Sequence, residues 1–213
     1  MILAFSTSGP YCSVALYSDG DDVAAAHEEM ARGQGERLMV MVEEVLEDAQ
    51  VSYSDVRAIG VDIGPGNFTG IRLSVSAARG LALGLGIPAV GVSVLEALAF
   101  GQEGPILASV AAGRDRLYLQ RFAEGANKGP ELVGLDDVKD WAVPAMTCIG
   151  DREDEIAAKL GVQSRLAALN PACAIARIAA SRWQDKPDAP APLYIRAADA
   201  APSRDLPPKI LDE

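Results

Sequence analysis

The 213 residues predict an α/β chain of mixed sheets flanked by helices, and three observations carry that expectation. Up to Glu28 the chain alternates apolar and polar residues at the strand period of two. Residues 36–86 switch to a helical period on either side of one buried-looking strand. A loose stretch from Phe100 to Pro105 follows, and strand and helix patterns then start afresh.

Strands are expected at Ile2 to Phe5, Cys12 to Tyr17 and Asp22 to Glu28, with turn signals at Ser8-Gly9-Pro10 and Asp19-Gly20-Asp21 between them. From Glu36 to Ala49, Leu38, Val42, Val45, Leu46 and Ala49 share one stripe, with Glu43, Glu44, Glu47 and Asp48 opposite. Arg57 to Ile63 reads as a buried strand, Gly64 to Thr69 as a glycine-rich loop, Gly70 to Gly86 as a second helix, and Ala89 to Val92 as another strand. Three hairpin strands followed by a strand, helix, strand unit make a mixed sheet covered by helices.

Gly101-Gln102-Glu103-Gly104-Pro105 is the candidate lobe boundary, dividing the chain into residues 1–103 and 104–213. Beyond it, strands are expected at Ile106 to Ala111 and Leu117 to Phe122, and helices at Asp136 to Trp141, Arg152 to Leu160 and Pro171 to Trp183. Asp151 and Asn170 stand where N-caps belong. The proline-rich tail from Asp185 is expected to lie extended on one of the lobes. No tandem repeat is evident.

Composition narrows the function. With 49% apolar and 23% charged residues the chain can bury a sizeable core. The three cysteines, Cys12, Cys148 and Cys173, form no C-x-x-C pair and read as reduced, buried thiols of a cytoplasmic protein. The N-terminus has no basic region before its apolar residues, and the apolar run from Gly80 to Val92 is broken by Pro88 and too short to cross a bilayer, so no membrane association is expected. A net charge of -11 makes a poor surface for a nucleic-acid backbone, so any RNA is expected to be held by another chain; solubility alone is the plainer reading of that charge.

The strongest local feature is Gly64-Pro65-Gly66-Asn67-Phe68-Thr69-Gly70-Ile71-Arg72, between a strand and a helix. Such a loop can aim backbone N–H groups at an anion, which makes Gly64, Gly66, Asn67, Thr69 and Gly70 candidate nucleotide contacts. It matches neither the Walker loop nor the dinucleotide fingerprint, and a tight turn needing glycine explains it equally well. No metal site is expected, because the chain has one histidine, His27, and no short acidic cluster. Gly91-Val92-Ser93-Val94-Leu95 lacks the second glycine of a nucleophile elbow, which argues against a serine hydrolase.

The first two helices carry more apolar surface than one core contact needs. Leu38-Met39-Val40-Met41-Val42 is five apolar residues in succession, and Leu73, Ala77, Gly80 and Gly84 form a second stripe beside Ile71, Val75, Ala78, Ala82 and Leu85. Leu38, Met39, Val40, Met41, Leu73, Ala77 and Gly80 are therefore candidate partner contacts, unless both faces are buried within one lobe.

Gly64 to Arg72 resembles the G-P-G-[SN]-F-T-G-[IV]-R signature of the TsaB (YeaZ) family. Ile2-Leu3-Ala4, Cys12-Ser13-Val14-Ala15-Leu16, Gly80-Leu81-Ala82, Ile87-Pro88, Gly91-Val92-Ser93 and Pro192-Leu193-Tyr194-Ile195-Arg196 agree in order and spacing. The resemblance implies the two-lobed actin-like ATPase fold (ASKHA, ribonuclease H-like), with a smaller, degenerate second lobe. It also implies a catalytically silent scaffold that pairs through its first two helices with the catalytic paralogue TsaD, or with itself as a homodimer. With TsaD and the ATPase TsaE, such a subunit serves threonylcarbamoyl transfer to the adenosine beside the anticodon of transfer RNA, which it meets only through the complex. Relatives often carry an acidic residue where this chain has Ser6, and an Asp-Ala-Arg motif where it has Ala111-Ala112-Gly113-Arg114-Asp115. Intrinsic ATP hydrolysis is accordingly not expected, and ATP or ADP with magnesium would bind only in the complex. A small-molecule kinase of the same fold is the competing expectation.

Overall fold

A computed structural model describes residues 1–195 of the chain. The first sheet is built from β1 (Ile2–Ser6), β2 (Tyr11–Ser18), β3 (Asp21–Glu29), β4 (Ala58–Asp62) and β5 (Ala89–Val92), in the order β3-β2-β1-β4-β5. β1 pairs antiparallel with β2 and parallel with β4, so the sheet is mixed. β1 and β4 are buried along their whole length, as continuous apolar strands between two helical layers must be, while β3 alternates exposed with half-buried residues at the edge.

Two helices, α1 (Gln34–Asp48) and α2 (Phe68–Leu85), cover one face of this sheet. The core beneath them joins Leu38, Met41, Val42, Val45 and Leu46 to Leu3, Phe5, Val14, Leu16, Ile59 and Val61. Asn67 caps α2, its side chain accepting from the Gly70 N–H at 2.9 Å, so the helix starts two residues before the sequence suggests.

The second sheet contains β6 (Ile106–Ala111), β7 (Arg116–Phe122), β8 (Lys128–Gly134), β9 (Thr147–Gly150) and β10 (Gln163–Ser164), in the order β10-β9-β6-β7-β8. Read from β8 this repeats the first sheet: two antiparallel pairings, then two parallel ones, with α4 (Glu153–Leu160) between β9 and β10 where α2 lies between β4 and β5. The halves thus share a topology that no sequence period revealed. The second is smaller, with a 3-10 turn at Leu135–Trp141 in the place of α1.

The boundary near residue 103 separates the two sheets but not their helices. α3 (Val94–Ala99) packs Val94 and Leu95 on Ala108 and Val110 of the second sheet. α5 (Pro171–Ala180) returns to cover the other face of the first sheet, packing Ala174, Ile175 and Ile178 against Ile2, Ala4, Ala58, Val90 and Val92. The apolar stripe of α5 fills this face, joined at its edge by Ala97 of α3.

Asn170 caps α5 as expected, accepting from the Cys173 N–H at 2.9 Å. Asp151 does not cap α4. Arg152, with φ 58°, is the N-cap, and the Asp151 carboxylate instead reaches across the sheet to the Ala111 N–H at 2.7 Å. α5 also stops at Ala180, short of Trp183, which opens a separate 3-10 turn.

After Asp185 the chain runs without regular structure along the first lobe, where the Leu193 N–H donates to the Ile63 carbonyl at 2.8 Å. Arg196 and the rest of the tail lie outside the described residues.

Candidate functional site

The glycine-rich loop joins β4 to α2 and rests on the turn between β1 and β2. Its glycines are there because backbone passes too close for side chains. A Cβ on Gly70 would stand 1.9 Å from the Thr7 carbonyl oxygen, and one on Gly66 would stand 2.6 Å from that of Ser8. Gly64 has φ +92°, and its added Cβ would meet the Ile71 side chain at 2.7 Å. The Asn67 N–H donates to the Ser8 carbonyl at 2.7 Å and the Thr7 hydroxyl to the Gly70 carbonyl at 2.7 Å, stitching loop to turn.

Beneath the loop lies Asp62, the last residue of β4 and fully buried. Its carboxyl accepts from the Ser6 hydroxyl at 2.5 Å, the Gly64 N–H at 2.6 Å and the Ser8 N–H at 3.3 Å. Burial pushes this carboxyl above the usual carboxylate range, and the hydrogen bonds from Ser6, Ser8 and Gly64 pull back less than burial lifts. The Tyr11 hydroxyl, 3.3 Å from that of Ser6, is also raised by burial and by the nearby Asp62 charge.

A carboxyl therefore does sit at this end of the cleft, one strand away from Ser6. The second half repeats the arrangement, with Asp151 following β9 as Asp62 ends β4, and bonding to the end of β6. Asp115 has not moved into the place that Ala111 leaves; it is exposed and paired with Arg152 at 3.2 Å. A lone acid in the apolar run Ala58-Ile59-Gly60-Val61-Asp62-Ile63, just before the glycine loop, was the sequence signal for Asp62.

Between the sheets, among the described residues, is a pocket of about 140 Å3 lined by Ser8, Tyr11, Pro65, Leu98, Ser109 and Asp151. Ligand pockets for small molecules usually measure roughly 300–1,000 Å3, so this cavity is smaller than most. Of the candidate nucleotide contacts, Gly64, Asn67 and Gly70 have their N–H groups committed inside the chain. Gly66 and the exposed Thr69 remain at the loop surface.

The three cysteines are buried, and burial pushes the thiols of Cys12, Cys148 and Cys173 up to about 11, which leaves them poor nucleophiles at neutral pH. His27 faces solvent beside Glu29 at 3.1 Å, and Ser93 caps α3. Among the described residues no group of three His, Cys, Asp or Glu side chains could hold a metal, and no helix is long and apolar enough to cross a membrane.

The candidate partner contacts divide. Leu38 and Met41 are core residues, 1% and 0% exposed, and cannot meet another chain. The run of five apolar residues is split because α1 turns Leu38, Met41 and Val42 onto the sheet and Val40 outward. Leu73 and Ala77 are half-buried against the same core, with the added Cβ of Gly35 reaching within 4.0 Å of Leu73. Val40, 47% exposed, and Gly80 stand free, and Met39 is half-buried. The outward face of α2 lies one step round from the expected stripe, through Arg72, Ser76, Arg79, Gly80 and Leu83, the last 86% exposed. At its start the Arg72 guanidinium lies 3.9 Å from the Phe68 ring centre and donates to the Tyr194 hydroxyl at 3.1 Å.

The family model for TsaD, tRNA N6-adenosine threonylcarbamoyltransferase, matches residues 26–164. The tRNA threonylcarbamoyladenosine biosynthesis protein TsaB of Escherichia coli is 37% identical over 131 residues, a match spanning 59% of this chain and 56% of that protein. An uncharacterised protein of Mycobacterium tuberculosis is 32% identical over 204 residues, 94% of each chain. Among solved structures, YeaZ from Pseudomonas aeruginosa superposes with a TM-score of 0.73 at 28% identity, covering 91% of this chain and 98% of that one. The ethanolamine utilization protein EutJ from Carboxydothermus hydrogenoformans, 12% identical with a TM-score of 0.53, shares the fold.

Proposed function

The chain belongs to the TsaB (YeaZ) family, and from that membership we propose that it is a non-catalytic scaffold subunit in the biosynthesis of threonylcarbamoyladenosine in transfer RNA. In this reading it binds the catalytic subunit TsaD, works alongside TsaE, and pairs with itself when TsaD is absent. The reaction takes place on TsaD, and transfer RNA reaches this chain only through the complex, in the cytoplasm.

The observation that carries the reading is the open face of α1 and α2. Five positions of α2, Arg72, Ser76, Arg79, Gly80 and Leu83, point to solvent, and Gly80 and Gly84 allow close approach of another helix. Charge favours helix against helix: α2 has two arginines and no acidic residue, while Glu36, Glu43, Glu47 and Asp48 lie exposed on α1. A two-fold pairing of copies, or of this chain with a paralogue of the same fold, can set the carboxylates of one α1 against the arginines of the other α2.

The small cleft and the internally committed loop support a subunit without its own nucleotide chemistry over a kinase of the same fold. ATP or ADP with magnesium would then bind only in the assembled complex.

Size-exclusion chromatography with light scattering, on the chain alone and mixed with TsaD from the same cell, tests the reading when followed by a threonylcarbamoylation assay. The expected result is a defined complex whose modifying activity requires this chain. A chain that ignores TsaD, or that modifies transfer RNA alone, refutes it.

A further inference from the structure

Backbone N–H groups taken out of water need partners, and several at the glycine-rich loop turn inward. Converging N–H groups from a strand-end turn and a glycine loop, with a hydroxyl beside them, are what such a loop offers a phosphoryl oxygen. Here the Gly64 N–H, the Ser8 N–H and the Ser6 hydroxyl all converge on Asp62. Two further donors are committed, the Asn67 N–H to the Ser8 carbonyl and the Gly70 N–H to the Asn67 side chain, while Gly66, Phe68 and Thr69 form the outer rim of the loop. Turning the first three toward an external ligand would strip a fully buried carboxyl of its partners, an expensive exchange.

We propose that Asp62 is a built-in occupant of the inner side of the loop, supplied by β4, and that its carboxyl oxygens take the place a phosphoryl ligand would need there in the lone chain. The loop then serves as a clamp that fixes the start of α2 on the β1–β2 turn, and Asp62 is the residue that sets which ligand class it refuses. The assignment goes beyond the scaffold role, because a scaffold can bind or refuse nucleotide and still associate with its partner. Its failure would leave the association result untouched.

The test is calorimetric titration of the full chain with inorganic phosphate and with magnesium ATP, comparing wild type with Asp62→Gly, which removes both carboxyl oxygens. Wild type is expected to show no saturable binding, and the variant to show saturable phosphate binding. Equal binding by the two proteins, or no gain in the variant, overturns the assignment. Should circular dichroism show the variant unfolded, the wild-type amide resonances of Gly64 and Ser8 decide: unmoved through a phosphate titration they uphold the assignment, and shifted they overturn it.

Discussion

Asp62 concentrates the residue-scale physics of this protein, a carboxyl taken wholly out of water and held by donors alone. In an unfolded chain an aspartate titrates near about 3.9. Burial raises the folded value, so the folded state binds this proton more tightly than the unfolded one does. The group's contribution is fully present below the unfolded value and is lost as pH rises through the raised folded value. Asp62→Asn lacks that loss, so its stability relative to wild type is expected to improve steadily as pH is raised from about 4 toward neutrality. Urea midpoints across that range check it, and parallel curves would refute it. Gly70 poses a steric question instead: with backbone 1.9 Å from an added Cβ, Gly70→Ala is expected to cost about 3 kcal/mol in chemical denaturation. A loss under about 1 kcal/mol would mean that loop and turn separate easily.

At the scale of elements, α1 shows how far periodicity reaches. Its buried stripe was legible, because Leu38, Val42, Val45 and Leu46 recur at helical spacing and all lie in the core. The surplus apolar residues were not separable by sequence, since Met41 and Val40 are adjacent and equally apolar, yet one is 0% and the other 47% exposed. Which of them faces the sheet depends on the helix's rotation, which packing sets. Leu38→Ala is accordingly expected to lower stability by roughly 2–5 kcal/mol. Val40→Asp and Leu83→Asp are expected to change stability by no more than about 0.5 kcal/mol, while weakening association at least tenfold in light scattering or analytical ultracentrifugation. Unchanged association in both variants would move the interface elsewhere.

At the scale of the whole molecule, charge and chain path matter together. A chain of net charge -11 is expected to leave transfer RNA unshifted in a gel at physiological salt unless TsaD is present, and salt-sensitive binding by the lone chain would contradict this. The return of α5 ties the chain's end to its beginning: Arg177 pairs with Asp22 at 3.1 Å and lies over the Tyr17 ring at 5.2 Å. Truncation before Pro171 would uncover Ile2, Ala4, Ala58, Val90 and Val92 together. That truncated chain is expected to aggregate, with loss of the cooperative thermal transition as the readout.

By itself the sequence determined the strands of the first sheet, the stripes of α1 and α2, the glycine loop and the family, because each is written in neighbouring residues and in the short-range period of side chains. Asn170 as a cap was legible for the same reason; Asp151 was not, because its true partner, the Ala111 N–H, is distant in sequence and adjacent only across the sheet. The tertiary structure alone decided that the second half repeats the first in topology, that α3 and α5 exchange sheets, and that the Ser6 hydroxyl meets the buried Asp62 carboxyl of the neighbouring strand. Those facts depend on which strands lie side by side. Pairing is settled by burial of whole faces, a long-range energy that no local window of sequence contains.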